Sequence, residues 1–133
     1  MKSFIQLAHI AINTPDLERS IAFYETLGGE CTMRGSVQKP AGVNLLAMVT
    51  LTNFEIELIQ PAAGFQAADG VIPHFAIEVE DLPLVANEMR AMGLGEFCSE
   101  QPTELPDLFG GLRNIFFRGP SGELIELIEH NNR

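Results

Sequence analysis

The stretch "HIAINTPDL" at residues 9–17 lines up with "HFAIEVEDL" at residues 74–82, and this match indicates how the chain folds. His, Ala, Ile, Asp and Leu stand at the same offsets in both stretches. The letters IELI also occur twice, at 56–59 and at 125–128, in the same order and at nearly the same spacing. A repeat at one period indicates that the chain is built from two copies of one structural unit.

The first copy predicts a β-α-β-β-β unit. Apolar residues in 5–12 predict a strand, and Thr14 with Pro15 predicts a helix start through a capping hydroxyl and a proline in the first turn. Two glycines at 28–29 end the helix. Three shorter strands follow, at about 30–36, 43–51 and 54–60.

The second copy predicts the same order of elements, with Asp81 as the helix cap and Gly93 as the helix end. Its strands are expected at 73–79, 96–100, 112–119 and 123–129. We expect one domain over residues 1–133 in the α+β class, with repeat 1 at about 5–60 and repeat 2 at about 73–130. The segment 61–72, rich in alanine and glycine, is expected to connect them.

Composition limits the possible partners. The chain is 46% hydrophobic and carries a formal net charge of −10, which argues against nucleic acid or an anionic membrane as a partner. Cys31 and Cys98 form no CxxC motif, and no apolar run is long enough to span a bilayer. Without a signal-peptide pattern, the expected location is the cytoplasm.

Two histidines and two glutamates in the repeated motifs are predicted to lie on the helix-free faces of the sheets. Side chains alternate along a strand, so the isoleucine and leucine beside each glutamate face the helix, and Glu57 and Glu126 point away from it. The same alternation places His9 and His74 on the helix-free side. Another histidine, His130, lies in the polar stretch EHNNR and is expected to be solvated.

These residue types favour a metal site. Two imidazoles and two carboxylates suit one divalent ion per site, such as Ni, Co, Zn, Mn or Fe. A cation would also neutralise carboxylates that are costly to place among isoleucine and leucine. The pattern leaves open which metal is native and whether one chain or a pair of chains completes the site.

The arrangement resembles the vicinal oxygen chelate superfamily, which includes glyoxalase I (lactoylglutathione lyase). The resemblance runs from "LAHIAINTPDLERSIAFYETLG" through "PHFAIEVEDL" to "GPSGELIELIEH". It implies that the two βαβββ units form a curved mixed-sheet cup. It also implies a metal-ligand set of His9, Glu57, His74 and Glu126, which matches the order of ligands in that family.

The resemblance further implies proton transfer beside a metal-bound carbonyl through an enediolate. Glu126 would be the base, and Glu57 could serve for the opposite stereochemistry. The expected substrate is a small molecule such as the hemithioacetal of methylglyoxal, and a homodimer with shared sites is expected.

Two positions depart from the glyoxalase I pattern and weaken the assignment of glutathione. Asn13 stands where that family has an arginine, and Pro61 stands where it has an asparagine. Asn13 and Arg113 are the predicted substrate contacts, and Arg34 and Arg118 are further candidates for holding an anionic substrate.

Other functions remain open. The stretch "FEIELIQP" is similar to methylmalonyl-CoA epimerases, which perform a related proton transfer. An Fe(II) extradiol-type dioxygenase would use two histidines and one carboxylate, so the second carboxylate argues against it. Some relatives only bind small molecules, but those commonly lack the metal residues. The segment 100–112 is expected to be a loop that could close the site.

Overall fold

The computed structural model describes residues 1–132 of the 133-residue chain. The chain divides into two compact units, one formed by Met1–Gln66 and the other by the residues from Ala67 onward. Each unit contains one ten-residue helix beside one sheet of mixed strand direction. The predicted α+β class with one helix and one sheet per repeat is therefore confirmed.

The first unit has the predicted β-α-β-β-β order. Its elements are β1 (Ile10–Asn13), α1 (Leu17–Thr26), β2 (Glu30–Lys39), β3 (Gly42–Leu51) and β4 (Phe54–Gln60). The strand order in the sheet is β1-β4-β3-β2, in which β1 runs parallel to β4 and the other pairs are antiparallel. The central strand β4 is therefore flanked by β1 and β3.

The second unit repeats this plan with one addition. Its elements are β5 (Phe75–Glu78), α2 (Leu82–Ala91), β6 (Glu96–Phe97), β7 (Thr103–Leu105), β8 (Leu112–Arg118) and β9 (Leu124–His130). The sheet order is β5-β9-β8-β6, with β5 parallel to β9. The short strand β7 also pairs with β8. The prediction of a loop over 100–112 is wrong for Thr103–Leu105, because these three residues pair with β8.

Each unit buries its own apolar core between the helix and the sheet. In the first unit the most buried side chains come from α1, β3 and β4, namely Tyr24, Val49, Ile56 and Leu58, all 0% exposed. The second unit is built in the same way around Leu82, Ile115, Phe117 and Ile125. Burying a side chain of this size contributes about 1.5–3 kcal/mol.

Both helices begin at an aspartate cap. Asp81 accepts a hydrogen bond from the backbone N–H of Leu84, as predicted. In the first unit the cap is Asp16, whose carboxylate accepts from the N–H of Arg19. The prediction of Thr14 as the cap and of proline in the first turn is wrong, because the Thr14 hydroxyl bonds to the Asp16 backbone before the helix begins.

The first strand is shorter than predicted. Residues 5–9 form no strand, and Ile5 and Leu7 are exposed. The reason is the ladder: β1 pairs with β4 only from Ile10 opposite Ile56 to Asn13 opposite Ile59. No helix in residues 1–132 is long and apolar enough to cross a membrane.

The last strand of each unit is hydrogen-bonded to the start of the helix. Gln60 at the end of β4 accepts a hydrogen bond from the N–H of Leu17 at 2.8 Å. Glu129 in β9 accepts one from the N–H of Leu82 at 2.6 Å. These bonds satisfy N–H groups that the first turn of a helix otherwise leaves without a partner. They hold each helix against the strand that carries Glu57 in the first unit or Glu126 in the second.

Candidate functional site

The first unit brings His9 and Glu57 together. His9 directly precedes β1, and Glu57 lies in the middle of β4, where it pairs in register with Ala11 and with Met48. The Nε2 atom of His9 lies 3.6 Å from Oε1 of Glu57, and the two side chains are 36% and 26% exposed. The neighbours of Glu57 in the chain, Ile56 and Leu58, are buried on the opposite, helix-covered face.

The second unit brings His74 and Glu126 together in the matching positions. His74 directly precedes β5, and its Nε2 atom lies 3.3 Å from Oε1 of Glu126. The Glu126 side chain is only 11% exposed. The ring of Phe116 meets the imidazole edge to face, with 5.3 Å between the ring centroids.

The Glu126 carboxylate has a second neighbour that the sequence did not indicate. Asn114 in β8 donates a hydrogen bond from Nδ2 to Oε2 of Glu126 at 2.7 Å. Both carboxylate oxygens of Glu126 therefore face polar groups of the same unit, which offsets the cost of burying the charge. Among residues 1–132, the side chains of His, Cys, Asp and Glu form no group of three or more placed to hold a metal.

The two predicted substrate contacts, Asn13 and Arg113, lie in different surroundings. Asn13, the last residue of β1, is exposed. Arg113 in β8 instead donates hydrogen bonds from Nε and Nη2 to Glu129 at 3.1–3.2 Å, and Glu129 also binds the start of α2. Arg113 is thus on the helix side of its sheet. Bonding to Glu129 raises the pKa of the Arg113 guanidinium. Its role as a substrate contact stays a prediction.

The other two arginine candidates are also bonded to carboxylates. Arg34 forms a two-pronged pair with Glu18 of α1, with 3.0 Å between Nη2 and Oε2. Arg118 donates to Asp69 at 2.7 Å and to the carbonyl of Gly122 at 2.9 Å. The hydrogen bond from Arg118 lowers the pKa of the Asp69 carboxyl. Each guanidinium is therefore partly neutralised within its own unit.

His130 is less solvated than the sequence predicted. It ends β9, and its Nε2 atom lies 3.4 Å from Oε2 of Glu78 at the end of β5, with the imidazole 26% exposed. The prediction of a solvated tail residue is wrong because β9 extends to residue 130, two residues beyond Ile128, which pairs with Glu78 at the end of β5. A second His–Glu contact thus lies further along β5 and β9 than the contact of His74 with Glu126.

Comparison with known proteins identifies the class. The model of the Glyoxalase/Bleomycin resistance protein/Dioxygenase superfamily matches residues 8–107. The chain belongs to this superfamily, and its α+β architecture is the vicinal oxygen chelate fold. The two His–Glu pairs therefore sit in a protein whose family was expected from the repeated motifs.

Individual relatives include both named enzymes and a protein without an assigned activity. The chain is 30% identical to the uncharacterized protein YwbC of Bacillus subtilis (strain 168), over 93% of this chain and 97% of that protein. It is 35% identical to the ethylmalonyl-CoA/methylmalonyl-CoA epimerase of Cereibacter sphaeroides, over 73% and 78%. The structure of Leishmania major glyoxalase I is similar with a TM-score of 0.72 and 25% identity, covering 95% of this chain and 87% of that one.

Proposed function

We propose that this protein is a divalent-metal-dependent lyase or isomerase that moves a proton next to a substrate carbonyl. The observation that carries the proposal is the His–Glu pair present in both units, His9 with Glu57 and His74 with Glu126. Family membership supports an enzyme of this general kind. The expected substrate is a small molecule.

The four side chains fit a divalent ion by their chemistry. Imidazole nitrogen and carboxylate oxygen are the donors that Ni, Co, Zn, Mn and Fe accept. Glu126 is a carboxylate with little exposure, so a positive ion beside it would offset the cost of its burial. We propose one ion per site, held by His9, Glu57, His74 and Glu126.

In this proposal Glu126 is the base that takes the proton from the carbon next to the carbonyl and returns it to the neighbouring carbon. Glu57 is the second carboxylate and would transfer a proton on the opposite face of the substrate. His9 and His74 would hold the metal. When bound, the ion supplies a Lewis acid that polarises the carbonyl and reduces the cost of developing negative charge.

The first candidate substrate is the hemithioacetal that methylglyoxal forms with a thiol, as expected for a lyase of glyoxalase I type. The similarity to the Leishmania major enzyme supports this substrate class. The thiol is left open, because Asn13 and Pro61 replace the arginine and asparagine expected for glutathione. We further propose a homodimer with shared sites, located in the cytoplasm.

The second candidate is epimerisation of a methylmalonyl-CoA-like thioester. A 35% identity to an ethylmalonyl-CoA/methylmalonyl-CoA epimerase favours it. Both reactions begin with removal of a proton beside a carbonyl. In the epimerisation one glutamate would remove this proton and the other would return a proton to the opposite face of the same carbon. The two candidates therefore differ in the substrate and in the carbon to which the proton returns, which is the neighbouring carbon for the hemithioacetal and the same carbon for the thioester.

A turnover screen in deuterated water tests both candidates. The purified protein is loaded separately with Ni²⁺, Co²⁺, Zn²⁺, Mn²⁺ and Fe²⁺ and given methylglyoxal hemithioacetals of several thiols, or methylmalonyl-CoA. We expect metal-dependent uptake of deuterium at the carbon next to the carbonyl with one substrate class. Glu104→Gln, which alters a carboxylate that is 66% exposed, is the control and should exchange normally.

Other outcomes would identify the remaining alternatives. Binding of these compounds without exchange under any metal would contradict the enzyme proposal and favour a small-molecule-binding protein. Oxygen consumption with a catechol, seen only with Fe²⁺, would indicate a dioxygenase instead. Sedimentation of the metal-loaded protein as a monomer would contradict the proposed homodimer.

A further inference from the structure

One difference between the two units lies beside the glutamate. In the second unit this position holds Asn114, whose amide reaches Glu126 at 2.7 Å. In the first unit the matching residue is Leu46. Leu46 pairs in register with Ile59, two positions after Glu57, just as Asn114 pairs with Ile128, two positions after Glu126. Leucine has no hydrogen-bond donor in its side chain, so Leu46 cannot hold Glu57 in the same way.

We propose that Asn114 is a positioning residue that fixes the carboxylate of Glu126 and makes the two His–Glu pairs unequal. The inference rests on the proposed function, since it explains which of two equivalent carboxylates is set as the base. Asn114 itself touches neither substrate nor metal in this proposal. It acts through Glu126 alone.

The geometry gives Glu126 one orientation. Asn114 holds Oε2, and Oε1 is left on the side of the His74 imidazole, 3.3 Å away. The Phe116 ring contacts that imidazole edge to face. Glu57, with 26% of its side chain exposed, has more freedom than Glu126 with 11%. A base that is held in one rotamer loses less entropy when it meets the substrate proton.

A first experiment needs neither metal nor substrate. In the metal-free protein, NMR follows the two side-chain amide protons of Asn114, with those of Asn44 as a comparison. Asn44 is a strand asparagine in the first unit whose carbonyl oxygen accepts a hydrogen bond from the N–H of Ala62. We expect one Asn114 proton to exchange slowly with water and to shift when Glu126 is changed to Gln. Exchange as fast as that of Asn44, with no shift in Glu126→Gln, would overturn the hydrogen bond.

A second experiment measures the effect on the metal. Asn114→Leu copies the residue of the first unit, and Asn44→Leu is the matched control with the same change away from the pair. Titration with Co²⁺, followed by its visible absorption, should show about tenfold or more weaker binding in Asn114→Leu, as for other residues that orient a metal ligand. Asn44→Leu should bind Co²⁺ as the wild type does. Equal affinity in all three proteins would contradict the positioning role.

A third experiment separates positioning from binding at saturating metal. With the substrate that the turnover screen identifies, Asn114→Leu should lower kcat about 10- to 100-fold and change KM less than about threefold. Asn114→Ser, whose side chain is too short to reach Glu126, should give the same pattern and replaces Asn114→Leu if that variant does not fold. An unchanged kcat in a folded variant would overturn the inference.

The two proposals can fail separately. If the wild type exchanges no proton with any substrate, the proposed function is wrong, while the NMR and Co²⁺ measurements still decide whether Asn114 holds Glu126. If the wild type is active and Asn114→Leu is equally active, the proposed function stands and the positioning role is wrong.

Discussion

Gln60 and Glu129 occupy matching positions in the two units, and each accepts a hydrogen bond from the first N–H of its helix. The amide of Gln60 is neutral, whereas the carboxylate of Glu129 is charged and also binds Arg113. The same structural bond is therefore independent of pH in the first unit and dependent on ionisation in the second. The two halves should respond differently to acid.

Glu129 should make the protein sensitive to acid. The hydrogen bond from Leu82, followed by that from Arg113, lowers the pKa of this carboxyl from its ordinary value of 4.5. A lowered pKa means that Glu129 contributes stability above 4.5 and that this contribution disappears as the pH falls through the folded-state pKa. We expect Glu129→Gln, which copies Gln60, to be less stable at neutral pH and to lose less stability on acidification, measured by urea unfolding across this range.

Glu104→Gln is the control for that experiment. Glu104 also faces Arg113, but at 3.9 Å and with 66% of its side chain exposed. An exposed pair of this kind contributes little to stability. The acid dependence of Glu104→Gln should match the wild type, and an equal change in both variants would contradict the role given to Glu129.

The aspartate caps should contribute measurably to stability. Asp81→Ala removes the acceptor for the N–H of Leu84, and Asp16→Ala removes the acceptor for the N–H of Arg19. Each change should lower the free energy of unfolding by about 1 kcal/mol, the usual cost of losing a helix cap. Thermal or urea unfolding measures this effect. If Thr14 were the cap of α1 instead, Asp16→Ala would be close to neutral.

Removing a proposed ligand should remove the metal. We expect Glu57→Ala and His74→Ala to lose the divalent ion that the wild type retains after purification, as measured by elemental analysis, because each takes away one donor. His130→Ala is the matched histidine control, and it should keep the metal because His130 contacts Glu78 instead. Unchanged metal content in both ligand variants would end the metal proposal.

Glu126 should matter more for turnover than for substrate affinity. Glu126→Gln keeps the size of the side chain and its carbonyl oxygen but removes the base, so kcat should fall by about 10²–10⁴-fold. Steady-state kinetics at saturating metal, with the substrate from the screen, measures this change. A Glu126→Gln protein that turns over normally would move the base role to Glu57.

Much of the fold followed from periodicity. The repeat and the alternation of side chains predicted that the two histidines and the two glutamates lie on the helix-free faces of the sheets, and the contacts of His9 with Glu57 and of His74 with Glu126 agree with those faces. Their joint binding of one metal ion stays a prediction. The same alternation, applied to Arg113, would have placed it beside Ile115 and on the helix side of the sheet.

Other features depend on register and strand ends, which the sequence specifies weakly. Asn114 reaches Glu126 only because β8 and β9 pair so that Phe116 lies opposite Glu126. The contact of His130 with Glu78 requires β9 to extend to its last residue beside β5. The short strand β7 forms because β6 covers only the end of β8 and leaves the edge at residues 112–114 open for pairing. The three residues of β7 do not indicate this by their own sequence.

The duplicated plan also has an evolutionary consequence. Each unit carries its own helix cap, its own core and its own bond from last strand to helix. The differences between Leu46 and Asn114, and between Asn13 and Glu78, lie on sheet faces away from these structural bonds. Gene duplication thus gave selection two copies of one His–Glu arrangement, and the surroundings of each could diverge toward a separate task.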